Sequence, residues 1–261
     1  MSRKDRLQTA AQGYIDREEF SGIEWHVETR GEQLTTGRAG VAEVSSGKSI
    51  PDGAIYRIYS MTKPIVSVMA MILIEQGKLR LYDMLPQFNP AFRNMRVLLP
   101  SGELEPARRP ILVEDLFTHR AGFSYEFIAG CHIAPGYDAM DDTDYFIPES
   151  KQDRLMTMYG VSDVKDMSFL NPPEVQELIL SDVEEMYPST NPEYSRGGHG
   201  LFSTTDDYFK FGRMLLTGKS PGGEVILSRK MLEMMRSNRI PESQLPLRIG
   251  LSALPGYGWG L

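Results

Sequence analysis

Between residues 55 and 76 the hydrophobic period of the chain changes from two to about three and a half. Ile55-Tyr56-Arg57-Ile58-Tyr59 is a short strand-like run that stops at Ser60, and from Ser60 to Gln76 the pattern is helical. Ile65, Val66, Val68, Met69, Ile72 and Leu73 cover most of the helix circumference. A helix that is apolar nearly all round is expected inside a core, and Gly77 is its expected stop. The fold must therefore wrap other elements around this helix. A chain of 261 residues, 41% apolar and 24% charged, has the material to do so, as one large domain or two interleaved lobes. Its apolar content argues against intrinsic disorder.

The flanking segments supply such elements. Residues 2–20 read as a helix, with Leu7, Ala10, Ala11, Tyr14 and Ile15 at helical spacing. Ile23, Trp25 and Val27 alternate along 23–30, and a turn at Gly31-Glu32 leads to a second strand near 33–41, which makes a hairpin. Residues 84–110 are Pro-rich and irregular, 111–117 a helical turn, and 174–182 helical in pattern. The segment 204–217 is a helix capped by Thr204 or Thr205, favoured by Asp206 and Asp207, and ended by Gly218. A further capped helix spans 228–237, whose Met231, Met234 and Met235 read as core. Residues 256–261 read as the start of a strand.

Ser60-Met61-Thr62-Lys63 begins the central helix. Residues three apart share a helix face, so the hydroxyl of Ser60 and the amine of Lys63 can meet. A serine hydroxyl is a poor nucleophile until a base takes its proton. A lysine serves as that base when its amine is neutral, and burial disfavours the charged form. Amide hydrogens at the helix start favour negative charge developing on an attacked carbonyl. Pro64 is tolerated in the first turn, where its missing N–H has no partner to lose. The candidate pair is therefore Ser60 as nucleophile and Lys63 as general base.

Other chemistries are less well served. The net charge of −7 argues against a nucleic-acid partner, which needs a basic face. Cys131-His132 is a lone pair of neighbours, with no other His or Cys at ligand spacing, so neither a metal nor a cofactor is expected. The single cysteine forms no internal disulfide. The N-terminal segment has no apolar signal region and no run is long enough to span a membrane, so the expected location is cytoplasmic.

The run Tyr56-Arg57-Ile58-Tyr59-Ser60-Met61-Thr62-Lys63-Pro64 resembles the nucleophile segment of class C β-lactamases, D-alanyl-D-alanine peptidases and, most of all, β-lactamase-like esterases. Glu75-Gln76-Gly77-Lys78-Leu79 with Asp83, the run Ile111–Phe123, and Gly197-Gly198-His199-Gly200-Leu201-Phe202-Ser203-Thr204-Thr205-Asp206-Asp207 resemble later segments of the same family, in order and in approximate spacing. The resemblance covers about residues 20–125 and 145–261. It implies an α+β fold (α/β sandwich type): an antiparallel sheet flanked by helices plus a mostly helical lobe, β-lactamase/transpeptidase-like. Residues 1–59 would form the first helix and strands, 60–217 the helical lobe with the nucleophile helix, and 218–261 the return to the sheet lobe, as one interleaved domain. The implied reaction is acyl transfer through an acyl-enzyme, on small carboxylic esters, or alternatively on β-lactams or D-alanyl peptides. A non-catalytic binding module with the same fold is the other reading. The Ser60 amide would supply half of the oxyanion hole.

The chain departs from that family in three places. No convincing Tyr-x-Asn or Tyr-x-Ser motif is found: Tyr187-Pro188-Ser189 fits the letters, but a proline separates them and its surroundings look like a later loop. The second-motif tyrosine is left unassigned. Between about Tyr137 and Asp142, where relatives carry a long insert, this chain is short. The resemblance implies a third motif on a later sheet strand, which would also supply the second oxyanion donor; residues 256–261 look like the strand before it, so that motif is not among these residues. The copy of the fold therefore reads as incomplete. Tyr125 either contacts substrate or packs at the lobe junction.

Overall fold

The computed structural model describes residues 2–29, 32–99, 101–123, 153, 156, 159–160, 179–180, 198, 200–249, 252–256 and 258–261. The chain divides into two units, each built from two stretches: residues 1–63 with 142–213, and residues 64–141 with 214–261.

In the first unit, helix α1 (Arg3–Asp16) opens on a capping box, with Ser2 Oγ accepting from the Asp5 amide and the Asp5 carboxylate accepting from the Ser2 amide. It is shorter than its sequence pattern, and its apolar stripe is thinly covered: Ala11 is buried while Leu7 and Tyr14 are exposed. Strand β1 (Gly22–Thr29) pairs antiparallel with β2 (Glu32–Glu43), Trp25 opposite Gly37. A Cβ at Gly37 would fall 2.3 Å from the Trp25 indole, so the ring lies where only glycine leaves room. Strand β3 (Lys48–Ser49) adds to β2. Ala42, Ile50, Ala54 and Met156 form a buried cluster under Tyr56. Strand β4 (Tyr56–Arg57) takes its partner from much later in the chain.

In the second unit, β5 (Arg96–Leu98) and β6 (Leu104–Pro106) form an antiparallel hairpin inside the segment that reads as irregular. A three-residue strand carries too few alternations to register as a period. Helix α3 (Val113–Phe117) has the buried Asp115 in its first turn. Its carboxylate accepts from the Leu112 amide at 2.9 Å and from Arg109 at 2.6 and 2.9 Å. Burial pushes that carboxyl up, but the Arg109 hydrogen bonds, the Leu112 amide and the Arg109 and Arg120 charges outweigh it and hold the group below the usual carboxylate range.

Helix α2 (Thr62–Glu75) crosses from the first unit to the second after Lys63. Val68 and Met71 are buried, but Met69 is 61% and Leu73 42% exposed. The expectation of a helix buried all round is corrected: apolar composition sets what a helix can bury, and its neighbours decide what it does bury.

Two further short pairs complete the first unit: β7 (Tyr159–Gly160) with β8 (Ile179–Leu180), and β4 with β9 (Phe202–Ser203). Ile179 and Leu180 thus lie in a strand where the sequence pattern reads helical; cross-strand pairing with Tyr159–Gly160 outweighs local propensity there. Helix α4 (Thr205–Thr217) has Thr204 Oγ1 accepting from the Asp207 amide, and Gly218, at φ +74°, ends it. Helix α5 (Arg229–Arg236) is capped by Ser228, with Met231 and Leu232 buried. The last pair is β10 (Leu247–Ile249) with β11 (Ser252–Leu254).

Residues 258–261 are not a strand. They follow the end of α5 instead, through Leu261 N–H to the Met235 carbonyl (3.1 Å) and Arg239 N–H to the Trp259 carbonyl (2.7 Å). A Cβ at Gly260 would fall 1.9 Å from the Met235 carbonyl oxygen. Among the described residues every strand pair is antiparallel, and no helix is long and apolar enough to cross a membrane.

Candidate active site

The strand-like run that reads as continuing to Tyr59 ends at Arg57. A 3-10 turn, Tyr59–Met61, stands between β4 and α2 and closes with Met61 N–H to the Ile58 carbonyl at 2.9 Å. Ser60 sits in this turn and is exposed, and Lys63 lies one residue inside α2, half-buried. Residues three apart eclipse in 3-10 geometry, so the tighter turn preserves the Ser–Lys spacing. The Lys63 Nζ is 2.9 Å from Ser60 Oγ.

Lys63 also donates to the Gly198 carbonyl at 2.7 Å. A neutral amine has two N–H groups and one lone pair. With one N–H held by Gly198, the lone pair can be turned to the Ser60 hydroxyl, which is what proton removal requires. The side chain is thus oriented by a group 135 residues away.

The turn is strained and held from several sides. Tyr59 has φ +42°, in the left-handed region that costs a bulky residue energy. On one flank β4 pairs with β9, Tyr56 opposite Ser203 and Arg57 opposite Phe202. Ile58 N–H donates to the Leu201 carbonyl (3.0 Å), and Leu201 N–H donates to the fully buried Thr62 Oγ1 (3.1 Å). On the other flank the Tyr208 hydroxyl, from α4, donates to the Met61 carbonyl at 3.1 Å. Behind β4, one oxygen of Glu24 accepts from Thr205 Oγ1 (2.7 Å) and from the Tyr56 hydroxyl (3.3 Å). Burial, then the Glu24 charge and hydrogen bond, push the Tyr56 phenol well above its ordinary value, so it stays a donor.

Of the residues picked from sequence, Ser60 and Lys63 are brought together. Tyr125, Tyr187, Cys131, His132 and the 137–142 segment lie outside the described residues. Sequence reasoning did not single out Thr62, Tyr208 or Glu24. The Gly-rich run around Gly198 was visible as a motif, but its carbonyl as a lysine partner was not. Among the described residues no three His, Cys, Asp or Glu side chains gather as metal ligands.

The sequence model of the family described as Beta-lactamase matches residues 7–139, just over half of the chain. Protein Rv1367c of Mycobacterium tuberculosis (strain ATCC 25618 / H37Rv) is 26% identical over 323 residues, covering 98% of this chain and 78% of that protein. That alignment is longer than the 261 residues of this chain, so the mycobacterial protein carries internal residues with no counterpart here. Esterase EstB of Burkholderia gladioli is 30% identical over 104 residues, 40% of this chain and 25% of that one. Among solved structures, "EstCE1, a hydrolase with promiscuous acyltransferase activity" superposes with a TM-score of 0.72 at 19% identity, covering 98% of this chain and 81% of that chain. The chain takes the α+β fold of that group, and by the span of the family match it belongs to the Beta-lactamase family.

Proposed function

We propose that this chain is a serine hydrolase that cleaves small carboxylic esters through an acyl-enzyme on Ser60. The observation that carries the reading is the 2.9 Å approach of Lys63 Nζ to Ser60 Oγ, with the amine steered by the Gly198 carbonyl. Ser60 Oγ attacks the ester carbonyl carbon while its proton passes to Lys63. The tetrahedral intermediate collapses, the alkoxide leaves with that proton, and water then cleaves the Ser60 ester. The preference for esters over lactams or D-alanyl peptides draws support from the likeness to Esterase EstB.

The test is turnover of a short-chain nitrophenyl ester and a chromogenic cephalosporin, with fluorophosphonate labelling, by the wild type and Ser60→Ala. The expected result is ester turnover and labelling lost in Ser60→Ala, with kcat/KM for the cephalosporin at least about tenfold lower. A preference for the cephalosporin would reassign the substrate. A wild type that takes no label would make the chain a binding module.

A further inference from the structure

The tyrosine on α4 has no place in the Ser–Lys chemistry, yet it meets the nucleophile segment directly. Tyr208 donates its hydroxyl to the carbonyl of Met61, the residue immediately after Ser60. That carbonyl ends the 3-10 turn whose first residue, Tyr59, is held at φ +42°. A left-handed tyrosine persists only where its surroundings over-determine it. The β9 side of the turn is fixed by Ile58 and Thr62 through Leu201. The Met61 carbonyl is the anchor on the α4 side.

We propose that Tyr208 is a positioning residue for the nucleophile: its phenol holds the Met61 carbonyl and so fixes the turn that presents Ser60. The inference rests on Ser60 being the nucleophile. Tyr208 acts through the backbone and not as a proton carrier, because its O–H is directed at a peptide oxygen. Its support runs further back. Helix α4 starts at Thr205, whose hydroxyl is held by Glu24, and the same Glu24 oxygen holds Tyr56 on the strand that leads into the turn. One carboxylate on β1 thus ties the start of α4 to β4, and Tyr208, one turn into α4, reaches the far side of the loop. Burial pushes the Tyr208 phenol up, which keeps it protonated and able to donate at neutral and mildly alkaline pH.

The experiment compares wild type, Tyr208→Phe, Thr205→Val and Lys210→Ala. Lys210 lies on the exposed side of α4, paired with Asp207. For each protein the fraction of sites labelled by a fluorophosphonate, the labelling rate constant, kcat per labelled site, KM and the thermal midpoint are measured. In Tyr208→Phe the labelling rate and kcat per site should fall about five- to tenfold, the size of one net hydrogen bond, with KM within about twofold. Thr205→Val should move both rates in the same direction by about two- to threefold, and Lys210→Ala should leave them unchanged. A Tyr208→Phe protein with wild-type rates per labelled site, whatever its thermal midpoint, overturns the inference, as does a rise in KM at constant kcat. A wild type that takes no label overturns the proposed function itself and the inference with it.

Discussion

Among the described residues, two turns hold an aromatic ring in the left-handed region, Tyr59 in the first unit and His119 in the second. They are braced in different proportions by near and distant segments. Around His119 most of the polar ties are local. Asp115 gathers Arg109 and the Leu112 amide, Thr118 donates to the Glu114 carbonyl, and Arg120 reaches Thr118 Oγ1 and returns its amide to the Asp115 carbonyl. Two distant residues add to these: Arg239, which donates to the Glu114 carboxylate, and Trp259, whose indole lies edge-on to His119 and donates to the Phe117 carbonyl. Around Tyr59 the polar ties come from 135 to 147 residues away, through Gly198, Leu201 and Tyr208. A turn closed by its own neighbours is a structural lock that forms early and cheaply. A turn closed by distant segments carries its geometry only when the whole unit is folded, which suits a site whose parts must meet at a defined distance.

The comparison breaks hardest at Lys63. Lys63→Met should lower the labelling rate of Ser60 about 10²- to 10⁴-fold while folding is retained. Lys63→Arg should not restore it, because a guanidinium stays charged. Restored labelling in Lys63→Arg would show that the amine acts as a charge and not as a base.

The local lock should fail in stability and not in chemistry. Asp115→Ala leaves Arg109 and the Leu112 amide without their acceptor, and should cost about 2–4 kcal/mol in urea unfolding. Ester turnover per labelled site should be unchanged at a permissive temperature. The Asp115 carboxyl is held below its ordinary value, so its contribution is complete above about pH 4 and is lost as pH falls through the lowered folded value. Asp115→Asn should therefore flatten the acid limb of stability against pH, and an unaltered limb would mean that other carboxylates govern it.

Relief of strain is the smallest and finest test. Tyr59→Gly removes the left-handed penalty and adds freedom to the unfolded chain, so stability should change by no more than about 1 kcal/mol. The labelling rate should still fall, because a slack turn no longer presents Ser60. His119→Gly should lose the ring contact with Trp259, about 1 kcal/mol, and keep its rate. Equal kinetic effects at the two positions would erase the distinction between the turns.

The same contrast explains what could be read from sequence. The Ser60–Lys63 pair was legible because an i, i+3 relation survives the exchange of an α-helical turn for a 3-10 turn. Helices α4 and α5 were legible from their caps, Thr204 and Ser228, and from the left-handed Gly218. The exposed face of α2, the β5–β6 hairpin and the strand at Ile179–Leu180 were not, because each depends on what lies against it and not on its own period. Thr62, Tyr208 and Glu24 carry no local signature, since their roles exist only once distant segments have come together.

The most direct measurement is peptide mapping by mass spectrometry after a slow-turnover ester is mixed with the wild type and with Lys63→Met and quenched in acid. An acyl group is expected on the peptide containing Ser60 in the wild type, and its near absence in Lys63→Met. An acyl group on any other residue, or equal acylation of Ser60 without the lysine, would contradict the proposed chemistry.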